Sequence, residues 1–282
     1  MDDEVVSIGV SKGIEKIELS PGEVYSGEFD ILNLSKTKSV SFAVKISPYS
    51  VDDETYDANF YDRDDYNQIV DWTTVDTPSG ELMENERKTI SYQIVVPETA
   101  PAGGQYLSFL VEVKNDESKE KTLSLSTKSR VASILYASVA GETVEEIEIL
   151  ENNINIFNLD HPVEVSSLVE NKGNIHTPAE YILRVYPLFS NQEIYSNEET
   201  PVENTLLPET VLFSKKTWDE TPRLGVFRVV QEISAADSYS SRERIVVACP
   251  GWFLFLCLLF VFSLIFWFIM RVRERKNIIK NY

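Results

Sequence analysis

The chain has 282 residues, enough for two domains of ordinary size once an apolar C-terminal segment is set aside. Its 45 acidic side chains outnumber 26 basic ones for a formal charge of −19, which argues against nucleic acid or anionic lipid as a partner of the body. The two cysteines, Cys249 and Cys257, both fall in the apolar C-terminal stretch, so the body has no disulfide, zinc–thiolate site or cysteine nucleophile, and its redox compartment is left open.

Along the body, alternation of period two recurs and helical periodicity is almost absent. Val40, Phe42, Val44 and Ile46 alternate with Ser41, Ala43 and Lys45. The same pattern holds for Ile90, Tyr92, Ile94 and Val96, and again for Leu107, Phe109, Val111 and Val113. Such runs are half-buried antiparallel strands. Turn clusters separate them: Ser20-Pro21-Gly22, Pro78-Ser79-Gly80 and Pro101-Ala102-Gly103-Gly104. Many short strands without intervening helices read as a β-sandwich.

A β-rich run from Leu123 to Ala140 ends at Gly141 and meets the acidic stretch 142–148, which places a domain boundary there. Strands resume at Val163-Glu164-Val165, Tyr181 to Tyr186 and Leu224 to Val230, a second sandwich. The halves echo each other weakly: Asn33 and Asn171 each close a strand before a polar turn. From Ile245 to Met270 the chain carries no charge, more than the roughly 20 residues that span a bilayer as a helix. Pro250 and Gly251 place the helix start near them, and Trp252 and Trp267 sit near its two ends. The tail after Met270 holds five basic residues against Glu274; subtracting its +4 from −19 leaves −23 on the rest. The positive-inside rule puts this tail in the cytoplasm and the acidic body outside, in a single-pass cell-membrane protein. Export of such a body calls for an N-terminal signal peptide, and the opening MDDEVVSIGV has no apolar core of one, so the expectation is that a signal was removed or that the start is misassigned. A tail-anchored protein with a cytosolic body is the alternative, and it runs against the charge rule.

Three segments carry a resemblance. Leu19-Ser20-Pro21-Gly22 followed by Ile31-Leu32-Asn33-Leu34-Ser35 resembles the N-terminal domain of bacterial WxL-interacting proteins. Val96-Pro97-Glu98-Thr99-Ala100-Pro101-Ala102-Gly103-Gly104-Gln105-Tyr106 resembles the turn before a late strand of that domain. Val169-Glu170-Asn171-Lys172-Gly173-Asn174-Ile175-His176 is similar to a segment of a second immunoglobulin-like domain. The resemblance implies a cell-envelope protein whose first domain binds peptidoglycan or a surface protein. The expected fold is all-β: two tandem immunoglobulin-like sandwiches over 1–141 and 142–244, a transmembrane helix over 245–270 and a basic cytoplasmic tail over 271–282.

Chemistry is sparse. His161 and His176 are the candidate neutral-pH bases, in separate turn-like contexts without metal spacing, and read as surface or turn residues. G-x-S-x-G, P-loop and G-x-G-x-x-G motifs are lacking, so no enzyme and no cofactor are expected. The most distinctive stretch is the insert Asp52 to Trp72, dense in carboxylates and aromatics. Asp62, Asp64 and Asp65 offer hard oxygens to calcium but lack the EF-hand glycine and closing glutamate, so a solvated acidic loop is the expectation. Tyr56, Phe60, Tyr61 and Tyr66 are the candidate partner-binding residues, with stacking faces for a glycan or a protein, whereas Trp72 is expected in the core. Asn33-Leu34-Ser35 fits the N-glycosylation sequon, a triplet common by chance. The partners expected are thus a surface protein or peptidoglycan for the body and the lipid bilayer for the helix. The alternatives are a scaffold or chaperone-like subunit of a membrane or surface complex and, third, a calcium-dependent hydrolase or glycan-processing domain.

Overall fold

The computed structural model describes residues 8–52, 55–60, 67–114, 130–159 and 162–280. The chain divides into two compact units. Unit 1 comprises Met1–Glu148 with the segments Glu170–Pro178 and Thr205–Leu212; unit 2 comprises Ile149–Val169, Ala179–Asn204 and Phe213–Tyr282.

The first part of the chain supplies β1 (Ile8–Val10), β2 (Ile14–Leu19), β3 (Val24–Asn33), β4 (Val40–Pro48), β5 (Ser50–Val51), β6 (Ala58–Asn59), α1 (Ile69–Trp72), β7 (Thr73–Val75), β8 (Ser79–Leu82), β9 (Arg87–Val95), β10 (Gly103–Lys114) and β11 (Arg130–Val139). They form two facing sheets, ordered β1-β3-β9-β7 and β2-β11-β10-β4-β8, with β5 and β6 as a separate hairpin. The alternating residues meet between the sheets: Phe42, Ile90, Ile94, Leu107, Phe109 and Val111 lie in one core cluster with Phe29 and Leu135. Phe29 stacks on Phe109 at 5.0 Å between ring centres, and Tyr92 packs on the same ring at 4.7 Å. Gly22 stands at φ +79 in the Ser20-Pro21-Gly22 turn, where Glu23 N donates to Ser20 O; proline second and a left-handed residue third are what a type II turn requires. Trp72 packs against the core, as its sequence context suggests, but from the end of the one-turn helix α1 rather than from a strand.

The later part supplies β12 (Ile147–Ile154), β13 (Phe157–Leu159), β14 (Val163–Asn171), β15 (Thr177–Pro187), β16 (Tyr195–Ser196), β17 (Val202–Leu206), β18 (Thr210–Trp218), β19 (Gly225–Ala235) and β20 (Ser238–Cys249). Their sheets are ordered β12-β14-β18 and β13-β20-β19-β15-β16, with β17 also on β15. The plan repeats that of the first sandwich. In each, the opening strand is split between the two sheets, and its second half runs parallel to the last strand: β2 beside β11, β13 beside β20. This strand order is that of immunoglobulin-like sandwiches. The core of the second holds Val163, Val165, Leu183, Val185, Trp218, Phe227 and Val229, with Trp218 edge-on to Phe227 at 5.1 Å.

Helix α2 (Gly251–Lys280) ends the described chain. Within its first 21 residues, Gly251–Arg271, an 18-residue stretch has a mean hydropathy of 2.9 and is not buried by protein, and about 1.5 Å per residue makes the 21 residues about 32 Å long, enough to cross a bilayer. The uncharged run begins six residues earlier, but Ile245 to Cys249 finish β20, where Val246 and Ala248 point into the core. Pro250 separates the two: it cannot donate to the sheet, and its carbonyl accepts the first helical N–H groups, from Phe253 and Leu254. At the other end the Arg271 guanidinium lies over the Trp267 ring at 5.1 Å.

Candidate functional site

The acidic insert starts as a tight hairpin. Ser50 pairs with Asn59 and Val51 with Ala58; Asp52 N donates to Asp57 O at 2.9 Å, and the Asp52 carboxylate accepts Thr55 N at 3.0 Å, an Asx-type closure. Tyr56 sits at the bend with φ +60, a left-handed conformation that a bulky residue holds only when its side chain is anchored. The anchor is present. Its hydroxyl donates to Thr205 O at 3.1 Å and accepts Leu207 N at 2.8 Å, with Thr210 Oγ1 at 3.3 Å, all within unit 1. Burial pushes this phenol above its ordinary range.

Beneath the hairpin lies an aromatic seat on the outer face of the sheet containing β10 and β11. Tyr106 and Tyr136 are cross-strand partners and meet edge to face at 5.2 Å; Tyr49 lies 5.7 Å from Tyr136, and Phe60 edges onto Tyr49 at 6.3 Å. Val51 and Leu207 complete the cluster. Offset and edge-on rings of this kind contribute about 1 kcal/mol per pair beyond the area they bury. His176 closes the seat, 5.3 Å from Tyr136 and 5.7 Å from Tyr106, with Nδ1 at 3.2 Å from the Tyr106 hydroxyl. Its placement in a turn was expected, but it is not a surface residue: loss of water around the ring, and secondarily the Lys16 charge, lower its pKa to about 4. The imidazole is therefore neutral at physiological pH. It packs rather than titrates.

Of the four expected contact residues, Tyr56 and Phe60 come together as the root of the insert. Tyr61 and Tyr66 lie outside the described residues, as do His161 and the calcium candidates Asp62, Asp64 and Asp65. Among the described residues no three His, Cys, Asp or Glu side chains are grouped to hold a metal ion. Tyr49, Tyr106 and Tyr136 were missed from sequence; in the structure β10 is buried on both faces from Gly103 to Leu110, so its even-numbered residues are covered as well as its odd-numbered ones. Tyr56→Phe keeps the ring and removes the hydroxyl that pairs Leu207 N; we expect about 1.5 kcal/mol lower stability in denaturant unfolding of the full chain, with the aromatic seat retained.

Neither a family model nor a curated protein sequence matches the chain. Solved structures similar in fold include the class 5 fimbriae chaperone CfaA, at 13% identity and a TM-score of 0.41, covering 86% of this chain and 100% of that one. The E. coli chaperone DraB is similar at 8% identity and a TM-score of 0.39, covering 86% and 98%. A PapD-like domain of human CEP192 is similar at 15% identity and a TM-score of 0.33, covering 48% of this chain and 86% of that domain.

Proposed function

We propose that the protein is a single-pass membrane protein that acts by binding, presenting its sandwiches outside the cell while α2 fixes them to the bilayer. The observation that carries this reading is α2 itself: an uncharged run, Gly251 to Met270, follows the last strand of a folded sandwich after a single proline, with a basic end that the positive-inside rule keeps in the cytoplasm. The resemblance to WxL-interacting proteins suggests the partner, peptidoglycan or another surface protein, and the acidic insert, rooted by Tyr56 and Phe60, is the surface we assign to it. The reading is one of recognition without catalysis. It accords with a body whose histidines are two and whose thiols are confined to the last strand and the helix.

The test uses the full chain in nanodiscs, incubated with peptidoglycan sacculi, alongside crosslinking in intact cells. Saturable sacculus binding, weakened at least tenfold by Tyr61→Ala with Tyr66→Ala and unchanged by Tyr56→Phe, is the expected result. Crosslinks confined to neighbouring membrane proteins, with no sacculus binding, would replace this reading by the scaffold alternative. One feature favours that alternative: β20 enters α2 with only Pro250 between them, so the second sandwich has no stalk and stays within reach of membrane neighbours.

A further inference from the structure

Where the second sandwich meets α2, its outer sheet face is apolar in a way that a water-facing sheet is not. Register places the residues in rows across three strands. Phe157 of β13 stands beside Val247 of β20, which stands beside Val226 of β19; Leu159 stands beside Cys249. Because Val246, Ala248 and Phe227 point into the core, Phe157, Leu159, Val226 and Val247 point outward, while Cys249 beside Leu159 is covered. Phe157 is 66% exposed, and Ile245 and Leu224 on either side of these rows are 55% and 56% exposed. A row ends two residues before Gly251, and about 3.3 Å per strand residue keeps the whole patch within about 20 Å of the helix start. Beside it a cavity of about 380 Å³ is lined by Asn158, Thr221, Arg223, Pro250 and Trp252. Trp252 is 64% exposed at the helix root, the place interfacial tryptophans take. Arg223 has no carboxylate partner among the described residues, whereas Asp219 on the same wall is engaged by the Thr217 hydroxyl.

We propose that this face of β13, β20 and β19 lies against the outer-leaflet headgroup layer, with Arg223 on lipid phosphate and Trp252 at the boundary of the hydrocarbon. The proposal rests on the reading of α2 as a bilayer-crossing helix. The occupant follows from chain continuity: whatever takes up the helix is the first surface the patch meets. Arg223, on a wall it shares with Asp219, stands at the edge of this apolar face, a placement that suits a phosphate beside acyl chains.

The test is spin-label depth measurement on the full chain in vesicles of phosphatidylcholine and phosphatidylglycerol, with Cys249→Ala and Cys257→Ala as background. Labels are placed through Phe157→Cys, Leu259→Cys and Glu15→Cys. The label at 157 is expected to lose access to a water-soluble nickel reagent and gain access to oxygen relative to the label at 15, while the label at 259 reads as deep. Arg223→Glu is expected to restore nickel access at 157. A label at 259 that is deep with one at 157 as aqueous as that at 15 would overturn the seat and leave the anchor standing. A label at 259 in water would overturn the anchor itself.

Discussion

Lowering the pH from 6.5 to 4 is expected to cost the first unit about 2 kcal/mol of stability through His176 alone. The ring sits among Tyr106 and Tyr136 with its pKa lowered to about 4 from the ordinary 6.5, first by desolvation and then by Lys16. The neutral form is the one the native seat accepts, while the unfolded chain protonates freely below 6.5. Between the two values the unfolded state therefore binds more protons, so stability rises with pH across that window, is fully present above 6.5, and is lost as pH falls through 4. Every tenfold weakening of the native ring's proton affinity corresponds to about 1.4 kcal/mol, and the ring's residual contact with solvent trims the sum. Among the described residues no carboxylate is paired with the ring to hold the imidazolium; the charged group acting on it is the Lys16 ammonium, which repels it. Denaturant unfolding at a series of pH values measures the effect. Between pH 5 and 6.5 carboxylates in ordinary settings stay ionised, so the slope there, about 1 kcal/mol for each step of one in pH, belongs to the histidine. His176→Phe keeps an aromatic ring in the seat and removes the titration; its stability should be flat over the same interval. An equal slope in the variant would show that the histidine is not the group responsible.

That seat also marks where local sequence pattern stops carrying information. The strands of the first core were legible because Phe42, Ile90 and Phe109 alternate with polar neighbours, and a half-buried strand leaves that trace. Tyr49, Tyr106 and Tyr136 left none. They pack on the outer face of a strand pair that later segments of the chain, around His176 and Leu207, fold back to cover, and a contact made 70 residues away has no local period. The membrane segment meets a similar limit. Ile245 to Cys249 and Trp252 onward are equally apolar, so hydropathy runs through a junction that backbone chemistry divides at Pro250. A soluble form cut after residue 244 would remove the last five of the 12 residues of β20 and with them Val246 and Ala248; a cut after Cys249 would keep the sandwich whole. The parallel pairings of β2 and β13 were invisible for a different reason: a strand that changes sheets midway keeps its alternation and is broken only by a short step, Ser11-Lys12-Gly13 or Asn155-Ile156.

Asn33→Ala and Asn171→Ala should each cost about 3 kcal/mol, and by the same mechanism. The weak echo between these asparagines is a shared device in the structure. Asn33 closes β3 and is buried; its Nδ2 donates to Lys38 O and Met83 O, both at 2.8 Å, and more weakly to Leu82 O, while its Oδ1 accepts Ser35 N at 3.0 Å. Asn171 closes β14 and is buried; its Nδ2 donates to Ile175 O at 2.9 Å and Leu206 O at 3.1 Å, and its Oδ1 accepts Gly173 N at 2.9 Å. The partners match as well. Leu82 and Leu206 are both fully buried, and three residues after each stands a left-handed residue, Asn85 and Glu209, both at φ +56, immediately before a strand that begins within two residues. One amide thus ties the end of an early strand to the turn before a later one, and alanine leaves carbonyls and an N–H buried without partners, at about 1 kcal/mol or more each. Asn33→Asp separates this from a cavity effect. The carboxylate is nearly the same size, keeps the acceptor for Ser35 N, and turns an oxygen toward carbonyls that need a donor, so it should be at least as damaging as alanine. Urea unfolding of the full chain in detergent supplies the comparison. An aspartate variant as stable as the parent would mean the amide donor carries no weight, and a cost at one asparagine without the other would end the equivalence of the two turns. The same geometry bears on the sequon: with its amide protons committed to main-chain carbonyls and its side chain buried, Asn33 of the folded chain is closed to glycan transfer.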